Sequence, residues 1–258
     1  MLPLLLLVYL GGYFLMAACI VASVIAVREF YKGYEATGTR PAYVLAYAGI
    51  VILYVLEIAM PGNTSLIMLW MVLMVMGSMV YGFKVNERRL EDMSATLLGI
   101  FYCVFFPFHI VLIDRSEYSI LIWLVFLAAF GTDIMAYFIG MAFGKHKLCP
   151  VLSPKKSKEG AVGGVLGSVL FCGIFAVIFV PDMIGEVMAI AVVGSVIAQL
   201  GDLSASAFKR QMGIKDYGNL IPGHGGILDR FDSVFFTAPM IYYCILFVNV
   251  AGEAMPAV

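Results

Sequence analysis

The chain has 258 residues, of which 62% are hydrophobic and 13% are charged, and its formal net charge is −1. A soluble core cannot bury this much apolar surface, so the composition excludes a soluble globular protein. We therefore predict an all-α polytopic membrane protein whose helices are covered mostly by lipid.

Apolar runs with at most one charged residue each predict eight membrane spans, most of them close to the length of about 20 residues that a bilayer requires. In chain order they are 13–27, 42–60, 65–83, 95–113, 119–143, 161–180, 187–200 and 233–252. A ninth run, Leu2 to Leu10, is too short to cross alone and ends at Gly11 and Gly12, so it predicts half of a hairpin or a shortened span. A cleaved signal peptide is the alternative, which the lack of a basic segment before the run disfavours. The predicted fold is thus a transmembrane helical bundle of about eight to nine helices.

Function and orientation follow from where the charges fall. We divide the chain into N-terminal transmembrane helices, 1–118, and a catalytic transmembrane region, 119–258, with polar loops at 144–160 and 201–232. If the spans alternate across the membrane, every Lys and Arg except Arg115 lies in loops on one side. The positive-inside rule places that side, with both polar loops, in the cytoplasm.

The segment 201–232 is the only long stretch that is both polar and glycine-rich. It combines carboxylates with cationic or imidazole side chains, namely Asp202, Asp216, Asp229 and Asp232 with Lys209, Arg210, Lys215, His224 and Arg230. Carboxylates hold Mg²⁺, the metal bridges phosphate oxygens, and Lys and Arg neutralise the remaining negative charge. The composition therefore predicts a metal and phosphate site, with a solvated connecting loop as the alternative.

Spacing within this segment narrows the chemistry. Asp229 and Asp232 share a helix face if the last span begins a turn early, and Asp202 is expected to close the preceding span. These carboxylates at the mouths of two antiparallel helices could hold one or two divalent metals. The run 222–226, PGHGG, permits positive φ angles that bring backbone amides close to an anion. No Ser, Cys or His arrangement indicates a covalent acyl enzyme, so metal-assisted phosphoryl or nucleotidyl transfer is predicted.

A carboxylate also lies inside the predicted span 119–143. An ionised Asp133 would cost about 3 kcal/mol in the membrane unless it faced partners or water. On a helix, Asp133, Tyr137 and Gly140 share one face, which predicts a polar cavity. A hydrogen bond between packed helices is the alternative explanation.

The loop 153–160, SPKKSKEG, brings Lys155, Lys156 and Lys158 close together after a turn at Ser153. Such a cluster can grip phosphates at a membrane surface, or it can simply orient the protein in the bilayer. The glycines that follow, in 160–168, lack the spacing of a phosphate-binding loop. Small residues three and four apart in an apolar helix predict close helix packing instead.

The run SAFKRQMGIKDYGNLIPGHGGILDRFD at 206–232 resembles the signature of the phosphatidate cytidylyltransferases, or CDP-diacylglycerol synthases. The matching positions are Ser206, Phe208, Lys209, Arg210, Lys215, Asp216, Gly218, Pro222, His224, Gly225, Gly226, Asp229, Arg230 and Asp232. The segments 153–160 and 133–140 are similar to accompanying motifs of that family. Its members usually begin with a short basic segment and a complete first helix, whereas this chain begins at LPLLLLVYLGG, so a shortened start is expected.

The resemblance implies an integral membrane enzyme, usually a homodimer, that joins CTP and phosphatidic acid to give CDP-diacylglycerol and pyrophosphate. It implies Mg²⁺, with room for a second metal ion, and no nucleic acid partner. The implied setting is the bacterial inner membrane, with the site facing the cytoplasm.

The resemblance also implies roles for individual residues. Metal binding is assigned to Asp202, Asp229 and Asp232. Stabilisation of the leaving pyrophosphate or anchoring of the lipid phosphate is assigned to Lys209, Arg210, Lys215, His224 and Arg230. Contacts with the substrates are assigned to Ser153, Lys155, Lys156, Asp133, Ser206, Asp216, Gly225 and Gly226.

Three other functions compete with this interpretation. A CDP-alcohol phosphatidyltransferase would need the pattern DGxxAR followed by GxxxDxxxD, which the sequence lacks. A lipid or polyprenol kinase would share the phosphate site, transfer a γ-phosphate and release a nucleoside diphosphate. A transporter would show inverted repeats and broken helices at mid-membrane, and the sequence contains no clear repeat.

Overall fold

The computed structural model describes residues 2–218 and 225–254. The predicted site residues Pro222 and His224 therefore lie outside the described residues. The described chain is almost entirely helical.

Within the described residues, α-helices follow one another from Leu2 to Ala254 and are joined by short segments. They are α1 Leu2–Leu10, α2 Gly12–Glu35, α3 Tyr43–Ala59, α4 Thr64–Tyr81, α5 Leu90–Ile100, α6 Phe106–Asp114, α7 Ile122–Phe143, α8 Lys158–Phe179, α9 Ile184–Gln211 and α10 Leu228–Ala254. A π-helical stretch, Phe101–Phe105, joins α5 to α6 without a break. Short 3₁₀ turns, Ser119–Leu121 and Pro181–Met183, precede α7 and α9.

The all-α membrane fold predicted from composition is confirmed. Within the described residues, seven helical stretches are long and apolar enough to cross a membrane, and α3, with 17 residues, falls just below that length. Each of the eight predicted spans overlaps an observed helix, and the span 95–113 covers the continuous stretch from α5 through the π-helical turn to α6. The protein is thus an integral membrane protein.

Two helices extend further than hydropathy predicts. The span predicted at 13–27 is the first part of α2, which continues through charged residues to Glu35. Similarly, α9 continues past Asp202 to Gln211, so Asp202 does not close its helix as expected. After Gly201, which is helical, the added residues of α9 include no Gly or Pro, and the chain leaves the helix just before Gly213, whose φ is 69°. Hydropathy shows which residues face lipid, but it does not show where a helix ends. The end of α9 is set by the glycine at 213, which adopts a positive φ just after the last helical turn.

The predicted polar loop 144–160 contains a small β-hairpin. Its strands, β1 Lys147–Cys149 and β2 Ser153–Ser157, pair antiparallel, with Lys147 opposite Ser157 and Cys149 opposite Ser153. Glu159 holds the start of the hairpin, because Oε2 accepts the backbone amides of Lys145 and His146 at 3.2 Å each. These bonds fix a polar segment that propensity alone leaves as a loop.

The chain forms two compact units that are interleaved in sequence. The first unit comprises 1–117 and 208–231, and the second comprises 118–207 and 232–258. The functional division at residue 118 stays a prediction. The packing units do not follow that boundary, since most of the predicted loop 201–232 is grouped with the N-terminal helices.

An aromatic cluster explains why residues from 208 onward join the first unit. Phe30 of α2 contacts Tyr102 and Phe208 edge to face, with ring centroids 5.5 Å apart in each pair. Tyr217 lies against the same ring at 6.0 Å. Such aromatic pairs add about 0.5–1.5 kcal/mol beyond the area they bury. The segment after α9 is therefore anchored on α2.

In the second unit, glycines bring α7 and α8 into close contact. Gly163, Gly164 and Gly167 are buried, and a Cβ on Gly164 would lie 3.0 Å from the carbonyl oxygen of Thr132. This is the helix packing that the glycine spacing predicts. Thr132 also donates its hydroxyl to Ser195 Oγ at 2.7 Å, which ties α7 to α9.

Replacing Gly164 by Leu should force α7 and α8 apart, because the new side chain meets the Thr132 backbone. Overpacking of this kind costs about 1–3 kcal/mol, so we expect a fall in apparent Tm of several degrees in detergent. Gly173→Leu is the matched control on the same helix, since a Cβ there has nothing within 4 Å. Equal Tm shifts for the two variants would contradict the packing role.

Candidate active site

The second unit contains a cavity of about 330 Å³ between α7, the hairpin, α8 and α9. The chemically active side chains that line it are Asp133, Tyr137, Lys155, Lys156, Gln199 and Asp202. The cavity therefore gathers two carboxylates and two ammonium groups from separate parts of the chain. Asp133, Tyr137 and Gly140 line it together, as their spacing on one helix face predicts.

The carboxylates in this cavity are held by neighbouring donors. Lys156 Nζ forms an ion pair with Asp202 Oδ2, and both side chains remain about one-quarter exposed. The hydroxyl of Ser233, at the start of α10, donates to Asp133 Oδ2 at 3.1 Å. Asp133 thus lines a polar cavity and also accepts a hydrogen bond from a neighbouring helix. The two interpretations of this residue, a cavity face and a bond between packed helices, are therefore both correct.

A third carboxylate lies near this region on α10. A Cβ on Gly201 would lie 2.9 Å from the backbone oxygen of Asp232, so α9 and α10 touch at the residue before Asp202. The Asp232 side chain is buried, and its Oδ1 accepts the amide of Ser233 at 2.8 Å. The helix α10 begins at Leu228, which is the early start that the spacing of Asp229 and Asp232 required.

The donor chemistry of the cavity fits a hard divalent cation. Carboxylate oxygens are the ligands that Mg²⁺ prefers, and Mg²⁺ is commonly held by one or two carboxylates with water and substrate phosphates. Asp133 and Asp202 supply such oxygens. Among residues 2–218 and 225–254, no three His, Cys, Asp or Glu side chains form a group that could hold a metal by themselves.

The hairpin presents its lysines from a fixed strand. Ser157 caps α8 by accepting the amide of Gly160 at 3.1 Å, and His146 bonds to Glu159 at 2.6 Å. Lys155 and Lys156 line the cavity, whereas Ser153 lies at the other end of β2, opposite Cys149.

In the first unit, Asp229 is the centre of a second polar cluster. Its Oδ1 pairs with Lys209 Nζ at 2.8 Å, and its Oδ2 accepts the amides of Tyr217 at 2.8 Å and Gly226 at 3.0 Å. The Lys209 ammonium also lies 5.4 Å from the centre of the Tyr217 ring. Asp229 thus joins the end of α9, the loop and the start of α10.

The remaining predicted residues are more open. Arg210, Lys215, Asp216 and Arg230 are exposed, and Ser206 is partly buried within α9. Gly225 has a φ of 80°, a conformation that glycine adopts without strain. The predicted positive φ in the glycine run is therefore present at Gly225.

Sequence reasoning missed two site residues. Ser233 donates to Asp133, and Glu29 accepts the amides of Ile227 and Leu228 at 3.1 and 2.8 Å. Ser233 was hidden in an apolar span. Glu29 lies between the predicted spans 13–27 and 42–60, in a stretch expected to be a charged loop. The structure shows that it is 7% exposed, and a glutamate this buried needs donors for its carboxylate.

Proteins described as phosphatidate cytidylyltransferases are similar to this chain: that of Staphylococcus saprophyticus is 42% identical over 158 residues, which is 60% of each chain. Those of Staphylococcus haemolyticus and Staphylococcus epidermidis are 40% and 41% identical over 152 and 150 residues, or 58% of this chain and 55% of each relative. The matched part of the chain thus spans between 55% and 60% of the length of these relatives.

The family comparison covers more of the chain. The sequence model of the cytidylyltransferase family matches residues 1–248, which include both polar clusters. This match extends well beyond half of the sequence, and the chain belongs to the cytidylyltransferase family.

Proposed function

We propose that the protein transfers the cytidylyl group of CTP to phosphatidic acid, giving CDP-diacylglycerol and pyrophosphate. The observation that carries the proposal is the cavity in which Asp133 and Asp202 face Lys155 and Lys156. Carboxylates beside ammonium groups suit a substrate that brings phosphates together with a divalent cation. Membership of the cytidylyltransferase family and the names of its relatives support the choice of CTP and phosphatidate.

The lysines of the hairpin are the proposed nucleotide contacts. Lys156 forms an ion pair with Asp202. The phosphates of CTP would compete for this ammonium group. Nucleotide binding would therefore draw Lys156 and Lys155 onto the phosphates and release the Asp202 carboxylate from its ion pair. Ser153, at the start of β2, would close over the nucleotide with them.

The reaction itself is an in-line displacement. An oxygen of the lipid phosphate attacks the α-phosphorus of CTP, the new P–O bond forms, and the bond to the β-phosphate oxygen breaks. Negative charge then accumulates on the leaving pyrophosphate. The proposed groups that balance it, or that anchor the lipid phosphate, are Lys209, Arg210, Lys215, Arg230 and His224. Fixed charges that meet developing charge commonly supply the largest part of such catalysis.

We propose that Asp202 and Asp232 of the second unit and Asp229 of the first each act as a ligand of Mg²⁺, with a second metal ion also proposed. Substrate phosphates and water would complete the coordination, since the described acidic residues do not by themselves form a group that holds a metal. A bound Mg²⁺ would supply positive charge to the phosphate oxygens. Asp229 accepts three hydrogen bonds, and a carboxylate has about four acceptor positions, so one position remains for a metal. Asp133, fixed by Ser233, would orient the groups of the cavity. Ser206, Asp216, Gly225 and Gly226 complete the proposed substrate contacts.

The cellular setting is proposed on the same basis. The bacterial relatives and the charge asymmetry of the loops support an enzyme of the bacterial inner membrane whose site faces the cytoplasm. There CTP and Mg²⁺ are available, and phosphatidic acid reaches the site from the bilayer. We propose that the protein acts as a homodimer.

The detergent-purified protein should release pyrophosphate only when CTP or dCTP, phosphatidic acid and Mg²⁺ are all present, and EDTA should abolish the release. The assay supplies each nucleoside triphosphate in turn and identifies the lipid product by mass spectrometry. A nucleoside diphosphate with a phosphorylated lipid would identify a kinase and contradict the proposal. Absence of any nucleotide-dependent product would contradict it as well.

Asp202→Asn should lower kcat by about 100-fold, since it removes a charged group at the reacting phosphates. It should also raise the Mg²⁺ concentration needed for half-maximal turnover. Asp182→Asn is the matched control, because Asp182 is exposed in the turn Pro181–Met183. Full activity of Asp202→Asn at low Mg²⁺ would remove Asp202 from the proposed metal ligands.

A further inference from the structure

Glu29 is the buried carboxylate that links α2 to the start of α10. It is 7% exposed, and both of its oxygens accept backbone amides 198 and 199 residues away along the chain. Oε1 accepts Ile227 at 3.1 Å and Oε2 accepts Leu228 at 2.8 Å. A buried carboxylate is stable only when such donors replace its water.

These two amides belong to the first turn of α10 and the residue before it. The first amides of a helix have no partner within the helix, and its N-terminus carries partial positive charge. A carboxylate that accepts two of these amides is therefore a strong helix cap. Glu29 performs from a distant helix the task that a local Ser, Asp or Thr usually performs.

Glu29 also explains two glycines of the 206–232 signature. A Cβ on Gly218 would lie 2.5 Å from Glu29 Oε1, and a Cβ on Gly226 would collide with both carboxylate oxygens. Gly226 does not have a positive φ. It is thus glycine because the Glu29 carboxylate fills the space where a side chain would lie.

The capped turn carries Asp229. Leu228 precedes it directly, and the amide of Gly226 donates to Asp229 Oδ2 at 3.0 Å. The same short segment, 225–229, is therefore held by two carboxylates, Glu29 through the backbone and Asp229 through its own side chain. A shift of this segment would displace Asp229 and disturb its ion pair with Lys209 of α9.

We infer that Glu29 is a positioning residue for catalysis: it fixes the first turn of α10 and thereby the place of Asp229. The inference rests on the proposed function, in which Asp229 acts at the phosphates. Both Glu29 oxygens accept backbone amides at the start of α10, so its substitution should act through the geometry of 225–229.

The first measurement is hydrogen exchange, which does not depend on activity. In Glu29→Ala, peptides that contain residues 225–231 should exchange their amides faster than in the wild type. Glu57→Ala is the matched control, because Glu57 is also buried, at 2% exposed, and accepts the amide of Gly62, at 3.2 and 3.4 Å, far from residues 225–231 in the sequence. Unchanged exchange of 225–231 in Glu29→Ala would overturn the inference, whether or not the protein uses CTP.

The second measurement is turnover per folded protein. Glu29→Ala and Glu29→Asp should lower kcat about 100-fold, the scale of a misplacement of about 1 Å. Glu29→Gln should retain more activity, with a loss of about tenfold, because its amide oxygen can still accept one backbone amide. Glu57→Gln should match the wild type. Wild-type kcat in Glu29→Ala would overturn the inference, whereas inactivity of the wild type would count against the proposed function alone.

A double-mutant cycle separates positioning from a general loss of stability. Gly226→Ala should itself lower kcat, because its methyl group meets the Glu29 carboxylate. In the Glu29→Ala background this collision is gone, so the double variant should be no less active than Glu29→Ala. The Glu57→Ala background should give no such relief. Multiplicative losses in the Glu29→Ala and Gly226→Ala double variant would contradict the inference.

Discussion

An unpaired carboxylate in an apolar environment is costly, and this cost governs how each acidic residue inside the two units is held. Asp202 is paired with Lys156, Asp229 with Lys209, and Glu29 with two backbone amides. Each pairing joins elements that are far apart in sequence. Lipid tails are as apolar as lipid-facing side chains, so apolar contacts alone do not favour one helix position over another. The polar pairs therefore help to fix where these helices lie.

The signature segment 206–232 is divided between the two units. The described residues 208–218 and 225–231 are grouped with the N-terminal helices, whereas Asp232 and Ser233 begin the part of α10 that belongs with α7 and α9. Two helices, α9 and α10, therefore each carry residues of both units. A segment that is continuous in the chain thus contributes to the packing of both units, in addition to the chemistry proposed for it. The aromatic contact of Phe208 with Phe30 and the tight fit of Gly226 against Glu29 are examples of the packing part.

The sequence predicted what depends on local periodicity. The shared face of Asp133, Tyr137 and Gly140 follows from helical spacing, and the glycine contacts of α8 follow from the spacing of small residues. It could not predict Glu29, because 198 residues separate it from its nearest partner and no local pattern joins them. The hairpin was missed because its strands are short and polar, and it is fixed by Glu159 of the following helix. The end of α9 was misplaced because lipid exposure ends before the helix does.

The short helix α3 has a consequence for the surrounding bilayer. At about 1.5 Å per residue, its 17 residues span about 26 Å. The hydrocarbon layer is about 30 Å thick. Lipids next to α3 must therefore compress, or α3 must be covered by neighbouring protein. Where α3 faces lipid, hydrophobic mismatch makes the stability of the first unit depend on bilayer thickness.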